Sequence, residues 1–168
     1  TFNPNLGPND AVYALAVQPD GKILIAGAFT EVDTTPCNFV ARLNPDGSVD
    51  PTFQPVFGAD SLVFALALQA DGKILLGGVF TMFDGVDCGA IARLLADGTL
   101  DATFDPGSGV MGAVYDIKVQ TNGLALIAGE FSAVNGTPRN DIARLHADGT
   151  LDTSFLDSFY NPIQAGTD

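Results

Sequence analysis

The chain repeats itself at a fixed step. Phe2, Phe53, Phe104 and Phe155 stand 51 residues apart, as do Gly21, Gly72 and Gly123, Phe29, Phe80 and Phe131, and Arg42, Arg93 and Arg144. No insertion or deletion breaks the step. A constant period of this length means copies of one supersecondary unit, each burying its apolar faces against its neighbours. The units are 1–51, 52–102 and 103–153. Ser154-Phe155 opens a fourth copy, and residues 154–168 then diverge, as a cap on the last sheet or the start of a truncated repeat. Thr1-Phe2 matches Thr52-Phe53, so the sequence begins on a repeat boundary and reads as a fragment or processed product of something longer.

Within a unit the turns are easy to place. "VYALAVQ" (12–18) meets Pro19-Asp20-Gly21, and "KILIAGAF" (22–29) returns. Asp-Gly between apolar runs is a hairpin signal, because Gly takes positive φ without steric cost. A polar loop (30–38) leads to "FVARL" (39–43), and "NPDG" (44–47) turns into a short strand near Val49 to Phe53. Each unit is thus expected to be a four-stranded antiparallel meander. The 19 glycines, 10 prolines and scarce lysine agree with an all-β chain.

The strand faces select the architecture. "KILIAGAF", "KILLGGVF" and "LALIAGEF" are apolar on both sides. A sandwich or barrel strand would alternate, with one face wet. Strands apolar on both faces need cover on both, which successive blades of a β-propeller supply. The small pairs Ala26-Gly27, Gly77-Gly78 and Ala128-Gly129 would let sheets approach closely. A β-trefoil, also built of three similar units, is the alternative; its barrel strands would alternate more strictly.

The combination of "QPDGKILIAG" with "ARLNPDGSVDPTF", repeated as "QADGKILLGG" with "ARLLADGTLDATF", resembles the delta-60 repeats of large secreted or surface bacterial proteins. The third unit departs at Asn122 and Leu124, where the others carry Asp and Lys. The resemblance covers residues 1–153. It implies propeller blades and a secreted or cell-surface setting, and it carries no assigned catalytic or binding residues. Closed propellers have 4–8 blades, so three imply further repeats of the same chain or a second copy completing a ring.

Arg42, Arg93 and Arg144 lie in apolar strands, and Asp50, Asp101 and Asp152 return with them. Identical use in every unit points to an internal pair, guanidinium to carboxylate, rather than to a ring of arginines for an anionic ligand. The stretches 46–50, 97–101 and 148–152 also invite calcium, which takes 6–8 oxygen ligands. Two carboxylates four apart are sparse for that, and turn chemistry accounts for them. No cofactor is therefore expected.

Cys37 and Cys88 occupy matching positions, with Arg139 in the third unit. They could bridge neighbouring blades in an oxidising compartment or remain two thiols in loops. The loops 30–38, 81–89 and 132–140 vary most between copies. Met82, Phe83, Asp87, Arg139 and Asn140 are specific to their own copies, which makes them the candidates for a ligand-binding surface. His146 is the only histidine, so no Ser-His-Asp or Cys-His set has internal support.

The net charge of −13 repels nucleic acid and anionic lipid, and no apolar run is long enough to insert in a membrane. The sequence thus leads to a non-enzymatic module of a secreted or surface protein, serving as scaffold or as adhesion surface for protein or glycan. A glycan-acting enzyme with paired carboxylates and a small trefoil lectin are the alternatives.

Overall fold

Each unit folds into its own antiparallel sheet, in a computed structural model that describes residues 5–156. The first unit contains β1 (Val12–Val17), β2 (Ile23–Gly27), β3 (Glu31–Val32), β4 (Thr35–Pro36) and β5 (Val40–Leu43). The second contains β6 (Val63–Leu68), β7 (Ile74–Gly78), β8 (Met82–Phe83), β9 (Val86–Asp87) and β10 (Ile91–Leu94). The third contains β11 (Val110–Val119), β12 (Ala125–Val134), β13 (Thr137–Pro138) and β14 (Ile142–Leu145).

The order within the sheets is β1-β2-β5, β6-β7-β10 and β11-β12-β14. The first hairpin of each unit closes through its Asp-Gly or Asn-Gly turn; in the first, Gln18 N–H donates to Lys22 O and Gly21 N–H to Gln18 O. The fourth, outermost segment of each blade is held by a single bridge: Leu43 to Val49, Leu94 to Leu100, Leu145 to Leu151. Small hairpins β3–β4 and β8–β9 stand apart from the sheets of the first two units. In the third unit β12 runs on without a break and pairs with β13 itself.

These small hairpins turn on two residues with positive φ: Asp33 and Thr34 (49° and 67°), Asp84 and Gly85 (51° and 79°), Asn135 and Gly136 (46° and 70°). That is the type I′ geometry that suits tight hairpins. The side chains of Asp33 and Asp84 also accept backbone N–H bonds from Leu6 and Gly7, and from Phe57 and Gly58, tying each hairpin to the segment entering its blade.

The sheets stack face to face. Leu24, Ala26 and Val40 of the first share one buried cluster with Ile74, Leu76, Ala92 and Leu94 of the second. Leu75 and Ile91 of the second share another with Ile117, Ile127 and Leu145 of the third. A fully buried Leu or Ile contributes about 1.5–3 kcal/mol, so these layers hold the blades together. A Cβ added at Gly77 would lie 2.6 Å from Val114 Cγ1, so a small residue here does permit close approach of sheets. Contacts between neighbouring sheets concentrate on the first strands, β1 with β6 and β6 with β11. The sheets therefore converge at their first strands and splay toward their third. This is a tandem of β-propeller blades, not a trefoil.

Candidate binding site

The repeated arginine and aspartate meet in every unit. Arg42 Nε lies 2.7 Å from Asp50 Oδ2, Arg93 Nε 2.8 Å from Asp101 Oδ2, and Arg144 Nη2 2.8 Å from Asp152 Oδ2. β5 and β10 carry their arginines, and the turn that follows brings the aspartate back over the strand through Asp50 N–H to Arg42 O and Asp101 N–H to Arg93 O. Each guanidinium also covers the phenylalanine three residues past its aspartate, 5.0 Å from the Phe53 ring, 4.9 Å from Phe104 and 4.7 Å from Phe155.

A second cation enters that spacing along the chain does not reveal. Lys22 Nζ sits 2.8 Å from Asp50 Oδ2, and Lys73 Nζ 2.9 Å from Asp101 Oδ2. The third unit has Leu124 in that place. Burial raises the Asp50 pKa, but hydrogen bonds from Lys22, Thr52 and Arg42 outweigh it and hold the carboxyl well below the usual range. Asp101 behaves alike, with burial opposed by Thr103, Lys73 and Arg93. The hydroxyl of Ser154 brings Asp152 down to about 2, with burial opposing and Arg144 adding to the effect.

The clamp reaches into the next blade. Arg42 Nη1 donates to Ala96 O at 2.5 Å, and Arg93 Nη1 donates to Ala147 O. Gln54 N–H donates to Asp97 O at 2.8 Å and Asp105 N–H to Asp148 O at 2.7 Å. Phe53 packs onto Gly98, whose φ is +92° and whose added Cβ would lie 3.0 Å from the ring. Only glycine meets both demands there. Arg42 with Phe53, and Arg93 with Phe104, thus grip the Asp-Gly turn of the following blade.

The same turns use their own aspartates. Asp46 Oδ1 accepts the N–H and hydroxyl of Ser48, and Asp97 and Asp148 do the same with Thr99 and Thr150. Those bonds lower the pKa of Asp46, Asp97 and Asp148. Among the described residues, no group of three or more His, Cys, Asp and Glu side chains gathers as a metal site.

Of the two alternatives for the cysteines, the structure has two free thiols, Cys37 and Cys88, and no bridge between them. They lie in different layers. Cys37 packs beside Ile25, Phe29 and Leu43, whereas Cys88 belongs to the cluster between the first and second sheets. Burial raises the pKa of both thiols.

The five loop candidates separate. Met82 is 39% exposed, and Asp87, paired with it across β8–β9, is exposed, as is Asn140. Phe83 is fully buried in the core and cannot meet a ligand. Its counterparts Val32 and Val134 are equally buried, so this position is apolar packing in every copy. Arg139 is 5% exposed and donates to Pro138 O and Thr153 O. The loops therefore bring no five-residue patch to the surface.

A concave site lies elsewhere, where the chain leaves the first blade for the second. A cavity of about 580 Å³ is lined by Cys37, Asn38, Val40, Arg42, Val56 and Phe57, among others. That volume is within the range of small-ligand clefts. Asn38 Nδ2 donates to Phe57 O at 2.7 Å and fixes one wall. Val56 and Phe57, at 69% and 67% exposure, form an apolar rim. The other two units have Asn5-Leu6 and Gly107-Ser108 in their place, so the Val56–Phe57 pair and its aromatic belong to one copy only. Sequence reasoning passed over the segment 54–57; its copy-specific aromatic is the signal that could have marked it.

A family model described as "Domain of unknown function (DUF5122) beta-propeller" matches residues 18–53, 69–104 and 120–155, more than half of the chain. No curated protein matches it. Among solved structures, one similar chain comes from a structure described as "X-Ray structure of the putative gluconolactonase in protein family", at 20% identity and a TM-score of 0.46. The match covers 86% of this chain and 46% of that one, so this chain spans about half the length of that structure.

Proposed function

This chain belongs to the DUF5122 β-propeller family, and on that premise we propose that it serves as a non-enzymatic scaffold module and adhesion surface for protein or glycan. One observation carries the reading. The buried arginines of the repeat, each held by its own blade's aspartate, join one blade to the next, with Arg42 and Arg93 holding the following unit by its backbone. That is assembly chemistry. The single-copy cleft at Val56 and Phe57 supplies a place where one blade differs from its neighbours.

The resemblance of the repeats to delta-60 units supports a secreted or cell-surface protein as the setting. Arg144, Asp152 and Phe155 present the same clamp on the third blade. Its counterpart is a further blade, from more repeats of the same chain or from a second copy.

The test is binding and turnover on one preparation. The chain is presented to immobilised glycans and surface proteins, and separately to glycoside and lactone substrates. The reading expects saturable binding that weakens in Val56→Gly/Phe57→Ser, the residues of the third unit, and no turnover. Sustained turnover of any substrate would overturn it.

A further inference from the structure

The first strands of all three blades share an irregularity. In β1, Val12 pairs with Gly27 and Ala14 with Ala26, which leaves Tyr13 outside the ladder. Phe64 is skipped in the same way between Val63 and Ala65, and Tyr115 between Val114 and Asp116. The backbone approach behind these bulges is close. A Cβ on Gly27, Gly78 or Gly129 would stand 2.1, 2.1 or 2.0 Å from the carbonyl oxygen of Ala11, Leu62 or Ala113. The glycine at the second position of each small pair is thus required by its own sheet and not by the neighbouring one.

A bulge re-aims the residue it leaves unpaired. Tyr13 is 49% exposed and Tyr115 51% exposed. The three rings form a row across the blades, 5.4 Å between Tyr13 and Phe64 at 48°, and 5.4 Å between Phe64 and Tyr115 at 63°. It lies on the strands where the sheets converge. At one end, Tyr115 Oη donates to Glu130 Oε2 at 3.2 Å.

We propose that this aromatic row, ending on Glu130, docks an arginine or lysine side chain of a partner protein; the inference rests on the adhesion reading above and deepens it. Ring faces attract cations. The surrounding charge favours the same partner. Of the seven basic residues, Lys22, Arg42, Lys73, Arg93, Lys118 and Arg144 each pair with an aspartate, and Arg139 is buried. The excess of carboxylates thus meets little exposed positive charge, and its field steers cationic segments toward the molecule.

The probe is the peptide Arg-Gly-Arg-Gly-Arg-Gly, with neutral cellohexaose as the comparison. The chain has no tryptophan and three tyrosines, two of them in the row. In a Tyr160→Phe background, tyrosine fluorescence therefore reads the row directly. Tyr13→Leu and Tyr115→Leu leave the net charge unchanged, so attraction to the acidic surface as a whole persists. Each is expected to weaken peptide binding by about twofold to fivefold, the value of an exposed cation–π contact. Both rings are half exposed, and melting curves confirm the fold; Phe64→Leu serves as the third variant.

Equal affinity of wild type and all variants overturns the inference and leaves the adhesion reading standing. A fluorescence response to cellohexaose and none to the peptide overturns it in favour of a glycan. Binding of neither probe overturns it too, while the cleft variant reports on adhesion separately.

Discussion

Arg93 Nη1 donates to the backbone carbonyl of Ala147, 54 residues further along the chain and in the next blade. Its Nε meanwhile holds Asp101 at 2.8 Å, and its Nη2 holds Thr103 Oγ1 at 3.1 Å. One buried side chain therefore closes its own blade and fastens the following one. Removing it leaves Asp101 buried with Thr103 as hydrogen-bond donor and Lys73 as its one cation among the described residues. Arg93→Ala should cost about 3–5 kcal/mol, as breaking a buried pair does. Arg144 makes the same pair with a side chain 25% exposed and no following turn among the described residues. Arg144→Ala should cost about 1 kcal/mol. Urea titrations of the two variants check the contrast.

The depressed aspartates set the response to acid. Asp50, Asp101 and Asp152 titrate lower in the folded chain than in the unfolded one, Asp152 at about 2. A group with a depressed folded pKa lends stability that is complete above its unfolded value, about 3.9, and is lost as pH falls through the folded value. The melting temperature should thus hold steady above about pH 5 and fall from pH 4 toward pH 2. Asp152→Asn should lower the plateau and flatten that slope. Thermal melts across this range decide it.

Thr34 is a β-branched residue at φ 67°, in a turn where the other units place Gly85 and Gly136. The left-handed region costs a residue with a Cβ about 1–2 kcal/mol, and the larger freedom of glycine in the unfolded chain returns part of that. Thr34→Gly should stabilise the protein by about 1 kcal/mol, read as an upward shift of the melting temperature.

The thiols should differ in reactivity. Cys37 is partly exposed and Cys88 is 6% exposed, with Sγ donating to Val86 O at 3.3 Å. Alkylation of the native protein, followed by mass spectrometry, should modify Cys37 first and Cys88 only on unfolding. Reductant should leave the mass in solution and the melting temperature unchanged.

Much of the fold is legible in the sequence because its signals are local. The Asp-Gly turns, the doubly apolar strands and the Arg–Asp spacing of eight residues all act within one unit. The misreadings concern contacts that spacing along the chain does not show. Lys22 meets Asp50 across two strands, and the partners of Arg42 and Arg93 in the next blade are backbone carbonyls, which any residue carries. Phe83 looks copy-specific by identity, yet Val32 and Val134 show that its position is core in all three units. Val56 and Phe57 carry no motif, and only the crossover that curves around a cavity singles them out. The skipped aromatics Tyr13, Phe64 and Tyr115 keep the repeat step, but nothing in the alternation of their strands marks them as unpaired. Residues 1–4 and 157–168, with the expectations of a boundary start and a cap or fourth repeat, lie outside the described residues.

The grip of Arg42 on Ala96 is identical in kind to the grip of Arg93 on Ala147. The second unit therefore receives one coupling at Ala96 and gives one from Arg93, of matching design. Duplicating or deleting a stretch of 51 residues, wherever the break falls within the period, restores the same couplings between whatever units remain. The gene can lengthen or shorten the array by simple recombination, without inventing a new joint, and a single blade can carry its own residues, such as Val56 and Phe57, without disturbing the couplings.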